Sequence, residues 1–242
     1  MNMIWENLSF FIERLKFLPV SESLTLGDGE GFCVSTGTEE ENWIYYPHRV
    51  SSLEMVNEAV KFFTERGEVF MWPVYDGGEE VLESAGLIYA GDLTAMTLEA
   101  VYERVRTSVR IERTDDAQKW AETAWRGFGG ETEPPENYYE FVRALSVDRE
   151  NLSLYLAVND GEAVGVFMLT NEPERTGVYY LAVLPEFRRR GIARSMMSGI
   201  VRLSAGKKVV LQSTPMGVNF YRAYGFEELF KIPVYSTTSD IF

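Results

Sequence analysis

The sequence predicts an α/β protein with two tandem parts, each a mixed, partly antiparallel twisted sheet flanked by helices. Two observations lead to this prediction. In the second half, β-rich apolar runs alternate with segments whose apolar residues have helical spacing. In the first half, a glycine spacing repeats that of the second half at a constant offset. The 242 residues suffice for one large or two modest domains.

The second half gives the clearest succession of elements. The four residues from Asn159 to Glu162 separate two apolar runs and predict a hairpin, because Asn and Gly tolerate positive φ. The predicted elements are a strand at 109–113, helices at 117–128 and 138–145, strands at 152–158, 163–169 and 177–183, a helix at 195–203, a strand at 208–212, a helix at 217–224 and a strand at 226–235. This order is typical of a mixed α/β fold with a partly antiparallel sheet.

The first half looks like a diverged copy of the second. The number of residues that separates Gly67 from Gly206 also separates Gly78 from Gly217 and Gly86 from Gly225. This repeat alignment also lays the helix around 55–63 and the strand 69–72 on 194–202 and 208–211. Chance combined with a shared strand-helix-strand pattern is the alternative explanation. We predict domains at 1–96 and 107–242, with a helical linker at 97–106.

Composition excludes several classes of function. The net charge is −14, and residues 1–106 hold 7 basic and 19 acidic side chains, so we expect no nucleic-acid partner. No apolar run approaches the roughly 20 residues of a membrane span, and the first residues lack a signal-peptide pattern, so we expect a cytoplasmic protein without a membrane partner. Cys33 and His48 are the only residues of their kinds, so no metal site is predicted.

The turn that follows Val183 carries residues suited to binding an anion. A strand ending at Val183 leads into an Arg-rich and Gly-rich turn that opens a helix, where unpaired backbone N–H groups favour an anion. Gly191 allows close approach of a phosphate, and Ala193 keeps the next turn narrow. The charges come from Arg188, Arg189, Arg190 and Arg194. The alternative is a solvated basic turn at the start of a surface helix.

At these residues the chain resembles the GNAT superfamily of acyl-CoA-dependent N-acyltransferases. The residues from Arg188 to Ala193 match the family's pyrophosphate signature, R/Q-x-x-G-x-G/A. The preceding residues 181–187 look like the family's fourth strand, and 213–226 look like its second motif, in which a helix ends in a Gly-Phe turn. The resemblance covers about residues 107–242. It implies tandem GNAT-like domains, of which the first is degenerate.

The resemblance also implies a set of site residues. Acetyl-CoA would be the acyl donor, bound by Leu181, Val183, Arg188, Arg189, Arg190, Gly191, Ile192, Ala193 and Arg194. The backbone amides around Leu181 and Val183 would polarise the thioester carbonyl. An amine would attack directly, and Tyr221 would protonate the leaving thiolate as the catalytic acid. A purely packing role for Tyr221 is the alternative.

The general base is less defined. Many members carry a Glu on the fourth strand, where this chain has Tyr179 and Tyr180, so a water relay is expected. The carboxylates that could accept the proton or attract a cationic amine are Glu131, Glu133, Glu136, Glu172 and Glu174. The second motif also departs from its relatives at Thr214, where many carry Asn, and this puts one cofactor contact in doubt.

The matching positions in the first half lack the residues expected to bind the cofactor and to act as the acid. The repeat alignment replaces Gly191 with Ser52, Ala193 with Glu54 and Tyr221 with Leu82. A carboxylate in the phosphate turn repels a pyrophosphate. We therefore predict that this half binds no cofactor and instead shapes or covers the acceptor site. His48 is expected at the surface, and Trp43, Tyr45, Tyr46 and Trp72 are expected in the core, with an aromatic acceptor pocket as the alternative.

These features predict an N-acetyltransferase whose acceptor is a primary amine on a small molecule, an amino acid or a peptide terminus. A catalytically silent acyl-CoA-binding regulatory module is the first alternative. The second is an aminoacyl-tRNA-dependent transferase, because such enzymes share a tandem arrangement of this fold, although the charge of −14 argues against it. The oligomeric state is left open.

Overall fold

Residues 3–27, 29–39, 41–99 and 109–241 are described by a computed structural model. Contacts divide the chain into two units. The first comprises Met1–Met96, Gln212–Ala223 and Glu227–Phe242, and the second comprises Thr97–Leu211 and Tyr224–Phe226. Most of the last helix and the whole of the last strand therefore lie in the first unit. The sequence-based domain limits 1–96, 97–106 and 107–242 stay a prediction.

The second unit contains a sheet whose neighbouring strands follow the order β10-β9-β8-β7-β6. Its elements are β6 (Arg110–Arg113), α4 (Ala117–Gly127), α5 (Glu136–Val147), β7 (Leu152–Asn159), β8 (Glu162–Asn171), β9 (Arg175–Val183), a 3-10 turn (Pro185–Phe187), α6 (Ile192–Leu203) and β10 (Lys208–Ser213, as far as Leu211). Among the described strands of this unit, β10 and β9 pair in parallel, whereas β6 to β9 form antiparallel pairs. This is the mixed sheet that the sequence predicts.

Local sequence explains these elements. The β7–β8 hairpin turns through Asp160 (φ 48°) and Gly161 (φ 87°), which is the positive-φ pair that a tight hairpin requires. Helix α4 begins after Asp116, whose carboxylate accepts a hydrogen bond from the backbone N–H of Lys119 at 3.0 Å. Its buried face carries Trp120, and in α6 the buried face includes Met196, Met197 and Ile200.

The first unit holds a three-stranded antiparallel sheet and a second group of strands. Its elements are α1 (Met3–Lys16), β1 (Glu22–Leu26), β2 (Gly31–Ser35), β3 (Trp43–Tyr45), α2 (Leu53–Thr64), β4 (Trp72–Pro73), α3 (Glu79–Ser84), β5 (Ile88–Glu99, as far as Met96), α7 (Val218–Tyr224, as far as Ala223) and β11 (Glu227–Ser236). The strand orders are β1-β2-β3 and β4-β11-β5. A core around Phe63, Phe70 and Trp72, all fully buried, joins α2 to these strands.

The offset of the repeat alignment recurs in the observed elements. Helix α2 spans 53–64 and α6 spans 192–203, so both ends of the two helices fall at aligned positions. Helix α3 begins at 79 and α7 at 218, and these positions are aligned as well. The turn glycines Gly67 and Gly206 also share positive φ values of 70° and 82°.

Three boundaries differ from the sequence prediction by three residues or more. Residues 97–99 extend β5 instead of starting a helix, and the hydroxyl of Thr97 donates to the carbonyl of Val209 at 3.4 Å. The rest of the predicted linker, 100–106, lies outside the described residues. Helix α6 begins at Ile192, three residues early, because Gly191 takes the left-handed conformation that ends the turn. The predicted strand 69–72 is reduced to β4. In the described parts of the chain, every helix is too short or too polar to cross a membrane.

Candidate functional site

The edge of β9 is only partly covered by β10. The parallel ladder joins Lys208–Val210 to Arg175–Gly177, and in the described residues it extends no farther. On the other edge, β9 pairs with β8 as far as Val183. The ladder between the two strands therefore ends at Gly177, well before the end of β9 at Val183.

Backbone direction shows which groups at the end of β9 point away from β8. The N–H of Leu184 donates to the carbonyl of Val164, on the β8 side, at 3.0 Å. Neighbouring residues of an antiparallel strand direct their N–H and C=O groups to opposite edges. The N–H of Val183 thus points away from β8, toward the open edge. This position is the one expected of a backbone donor to a bound ligand.

A bulge interrupts β9 just before Leu181. Met168 lies opposite Tyr179, whereas Val166 lies opposite Ala182, so two residues of β9 share the single partner Phe167. At this bulge Tyr180 has φ 52°, in the left-handed region. Bulges concentrate next to active sites because they redirect the strand edge. No sequence pattern indicated this feature, since hydrophobic alternation does not report a single extra residue.

The turn after β9 presents an uncapped helix N-terminus. Gly191 precedes α6 with φ 77°, and no side chain caps the helix there. The first-turn N–H groups of Ile192, Ala193 and Arg194 have no carbonyl four residues back in the helix. A Cβ added at Gly191 would meet nothing within 4 Å. The structure therefore leaves open space over donors that suit an anion.

The four arginines of the turn have different surroundings. Arg188 donates from Nε to the carbonyl of Val183 at 3.1 Å and from Nη2 to the carbonyl of Gly127 at 2.8 Å, so its side chain fastens β9 to α4. Arg190 lies 5.4 Å from the ring of Phe187. Arg194 lies 5.6 Å from the ring of Tyr224. Arg189 is exposed with φ 61°. Sequence reasoning missed the structural role of Arg188, which no local pattern signals.

Tyr221 lies on α7, in the part of that helix that belongs to the first unit. Its ring is 5.2 Å from that of Phe220, and Gly217 is close enough that an added Cβ would meet the Tyr221 ring at 3.1 Å. Burial among these neighbours raises the pKa of Tyr221 above its usual value near 10. The phenol is therefore protonated throughout the physiological range, as an acid must be.

The proposed base residues fall into three groups. Glu172 is buried and its carboxylate accepts from Nε of Arg175 at 2.6 Å, which ties the β8–β9 turn, while Glu174 is exposed in that turn. Glu131 and Glu133 line a cleft of about 570 Å³ together with Glu122 and Glu162 of the same unit. Glu136 instead accepts from Arg143 at 3.1 Å. No cluster of His, Cys, Asp and Glu suited to a metal ion occurs in the part of the chain that the structure describes.

The turn before α2, which the repeat alignment matches to the turn before α6, has a side-chain cap. Ser52 caps α2, and its hydroxyl accepts from the N–H of Met55 at 3.2 Å. Leu82, at the position matching Tyr221, is fully buried. His48 is exposed and pairs with Glu30, as a surface histidine does. The aromatic residues Trp43, Tyr45 and Trp72 are buried, and Tyr46 packs against the core.

Comparisons with known proteins agree with this geometry. Residues 150–228 match the family described as an acetyltransferase (GNAT) domain. A GCN5-related N-acetyltransferase from Kribbella flavida superposes with a TM-score of 0.65 at 15% identity, covering 98% of this chain and 96% of that chain. A GCN5-related N-acetyltransferase from Sphaerobacter thermophilus gives a TM-score of 0.56 at 14% identity, covering 86% and 77%.

A tandem GNAT protein from the clavulanic acid biosynthesis pathway is also similar, with a TM-score of 0.55 at 12% identity, covering 95% of this chain and 87% of that chain. No curated protein sequence matches. The chain therefore shares the tandem GNAT fold, and residues 150–228 carry the sequence pattern of the acetyltransferase domain. The resemblance inferred from the two motifs is confirmed.

Proposed function

We propose that this protein is an acyl-CoA-dependent N-acyltransferase that moves an acetyl group from acetyl-CoA to a primary amine. The observation that carries the proposal is the combination, in one unit, of an open β9 edge and the uncapped N-terminus of α6. Both lie within the segment that matches the acetyltransferase domain. Acetyl-CoA would supply a thioester whose acyl group is transferred.

The residues fit such a donor. Backbone N–H groups at Ile192, Ala193 and Arg194 would hold the pyrophosphate, and the open space over Gly191 leaves room for it. The N–H of Val183 on the open edge would bond the pantetheine arm or the acyl carbonyl, with Leu181 adjoining. Arg189, Arg190 and Arg194 would add positive charge, whereas Arg188 would act through the position of the turn.

For the chemistry we propose direct attack by the neutral amine, with no covalent enzyme intermediate. Tyr221, which carries its proton at neutral pH, would donate that proton to the departing thiolate. Glu131 and Glu133 in the cleft of the second unit would attract a cationic amine, and water would carry the amine's proton away. The acceptor is a small molecule or a peptide terminus in this proposal.

The first test is a calorimetric titration with acetyl-CoA and with free CoA. Gly191→Glu adds a negative side chain where the pyrophosphate would lie, and we expect it to abolish binding of both ligands. Gly206→Glu is a matched control, because Gly206 has a similar φ of 82° and similarly open surroundings, away from the turn. Equal affinities in wild type and Gly191→Glu would reject the site.

A positive titration is followed by a screen of amines for thiol release. Turnover would establish the transferase. Binding of acetyl-CoA without turnover of any amine would favour the silent regulatory module, and an absence of CoA binding would redirect the search to a different acyl donor.

A further inference from the structure

Tyr180 has a backbone conformation that its side chain disfavours. Its φ of 52° is uncommon for a bulky residue, because the Cβ crowds the following carbonyl. The conformation lies at the bulge where two residues of β9 face Phe167. A strained residue persists where surrounding contacts hold it, and such residues concentrate at functional sites.

The contacts that hold Tyr180 come from helices α4 and α5 and from Phe128, the residue that follows α4. Its ring lies 5.8 Å from that of Trp120, at an interplanar angle of 80°. It lies 6.5 Å from the rings of Phe128 and Phe141, at angles of 79° and 66°. These edge-to-face geometries are favourable for aromatic pairs. Trp120 and Phe141 are fully buried, so two of the three partners are fixed in the core of the unit.

The opposite side of the bulge is held by α4 as well. The indole Nε1 of Trp120 donates to the carbonyl of Phe167 at 3.4 Å, and Phe167 is the residue facing the bulge. Trp120 thus contacts both strands at the point where their register shifts. Separation from β10 begins three residues earlier, after Gly177. The aromatic cluster therefore lies beside the part of β9 whose edge is open.

We propose that Tyr180 is a positioning residue for acyl transfer: its ring, held by Trp120, Phe128 and Phe141, keeps the bulge that directs the next backbone groups of β9 toward the acyl carbonyl. This inference rests on the proposed function. Tyr180 acts through the strand and touches no reacting atom in this role. The bulge, and not the turn around Gly191, is the part of the site that distinguishes acetyl-CoA from free CoA.

The experiment compares affinities for CoA and acetyl-CoA with the carbonyl 13C resonance of bound [1-13C]acetyl-CoA. In Tyr180→Ala we expect CoA affinity to stay within about twofold of wild type. Acetyl-CoA affinity should fall about five- to tenfold, as expected when one backbone hydrogen bond is lost. The bound carbonyl resonance should return toward its free position. Tyr180→Phe keeps the ring and should behave as wild type.

Two further variants keep the test decisive if Tyr180→Ala does not fold. Tyr180→Gly accommodates the positive φ but loses the ring, and we expect the same loss of acetyl-CoA preference. Trp120→Phe keeps a ring and removes the donor to Phe167, and a smaller change of the same sign is expected. Tyr155→Leu removes a ring stacked on Phe167 from β7, at 4.9 Å, and serves as the control for a general loss of aromatic packing.

The outcomes separate the two proposals. Wild type that binds neither ligand contradicts the proposed function. Wild type that binds both, with Tyr180→Gly showing an unchanged carbonyl resonance and unchanged affinities, overturns the role of Tyr180 alone. A resonance shift as large in Tyr155→Leu as in Tyr180→Gly would also overturn it, because any loss of packing would then suffice.

Discussion

Tyr221 is the residue on which the proposed chemistry depends most directly. The structure places its ring beside Phe220, and burial raises its pKa. A phenol that stays protonated can give a proton but cannot act as a base at neutral pH. Its role as an acid is a prediction, supported by this protonation state.

We expect Tyr221→Phe to lower kcat by about 10²-fold with an accepted amine, because the thiolate then leaves without its proton donor. CoA affinity should stay unchanged in calorimetry. Because burial raises the pKa of Tyr221, its deprotonation should reduce the rate only at a pH well above the usual tyrosine value. Tyr224→Phe, which removes a hydroxyl that lies 3.2 Å from that of Ser198, is the control. An unchanged kcat in Tyr221→Phe assigns the residue to packing.

A second tyrosine links the stability of the first unit to pH. Burial, followed by the hydrogen bond that Tyr235 donates to Glu83 at 3.0 Å, raises the pKa of Tyr235 to about 12. The unfolded chain loses this proton near pH 10, whereas the folded chain retains it. The contribution of Tyr235 to the free energy of unfolding is therefore fully present below about pH 10 and is lost as the pH rises through about 12.

The expected outcome is a free energy of unfolding that falls between about pH 10 and 12, with a smaller fall in Tyr235→Phe. Urea denaturation of wild type and variant at pH 8 and pH 11 measures this difference. The two proteins should lose equal amounts of free energy only if Tyr235 titrates normally in the folded state.

Among the elements, the junction of β9 with α6 combines the proposed binding surface with a structural tether. The helix offers uncapped N–H groups, while Arg188 joins the end of β9 to the end of α4. The four arginines of the turn look alike in the sequence, but the carbonyl of Gly127 and the ring of Tyr224 lie far from them along the chain. Only folding assigns these arginines separate roles.

We predict that Arg188→Gln lowers the free energy of unfolding by about 1.5–3 kcal/mol, because the carbonyls of Val183 and Gly127 lose charge-assisted hydrogen bonds. Arg190→Gln, at an exposed position, should leave stability unchanged and weaken CoA binding. Chemical denaturation and calorimetry on both variants measure the two effects. The tether is disproved if Arg188→Gln unfolds at the same denaturant concentration as wild type.

Across the whole molecule, the two halves share element spacing but differ at the turn that precedes α2 in the first half and α6 in the second. Helices α2 and α6 match end to end in the repeat alignment. The first turn of α2 is capped by Ser52, whereas Gly191 leaves that of α6 uncapped. A bonded amide is less available to an anion, and Glu54 adds like-charge repulsion.

We therefore predict one CoA site per chain. Calorimetric stoichiometry should be about one for wild type and zero for Gly191→Glu, since the added carboxylate would lie where the pyrophosphate is proposed to bind. A stoichiometry of two, or residual binding in Gly191→Glu, would show that the first half has kept its site.

Local sequence was enough to establish the mixed α/β fold, the hairpin at 160–161 and the tandem repeat. These features depend on periodicity, turn residues and short motifs, which are local in the chain. The folded chain was needed to reveal the bulge at Tyr180, the tether from Arg188, the ion pair of Glu172 and the inclusion of most of α7 and all of β11 in the first unit. Each of these depends on how separate segments pack, because strand register and side-chain contacts form only when those segments come together.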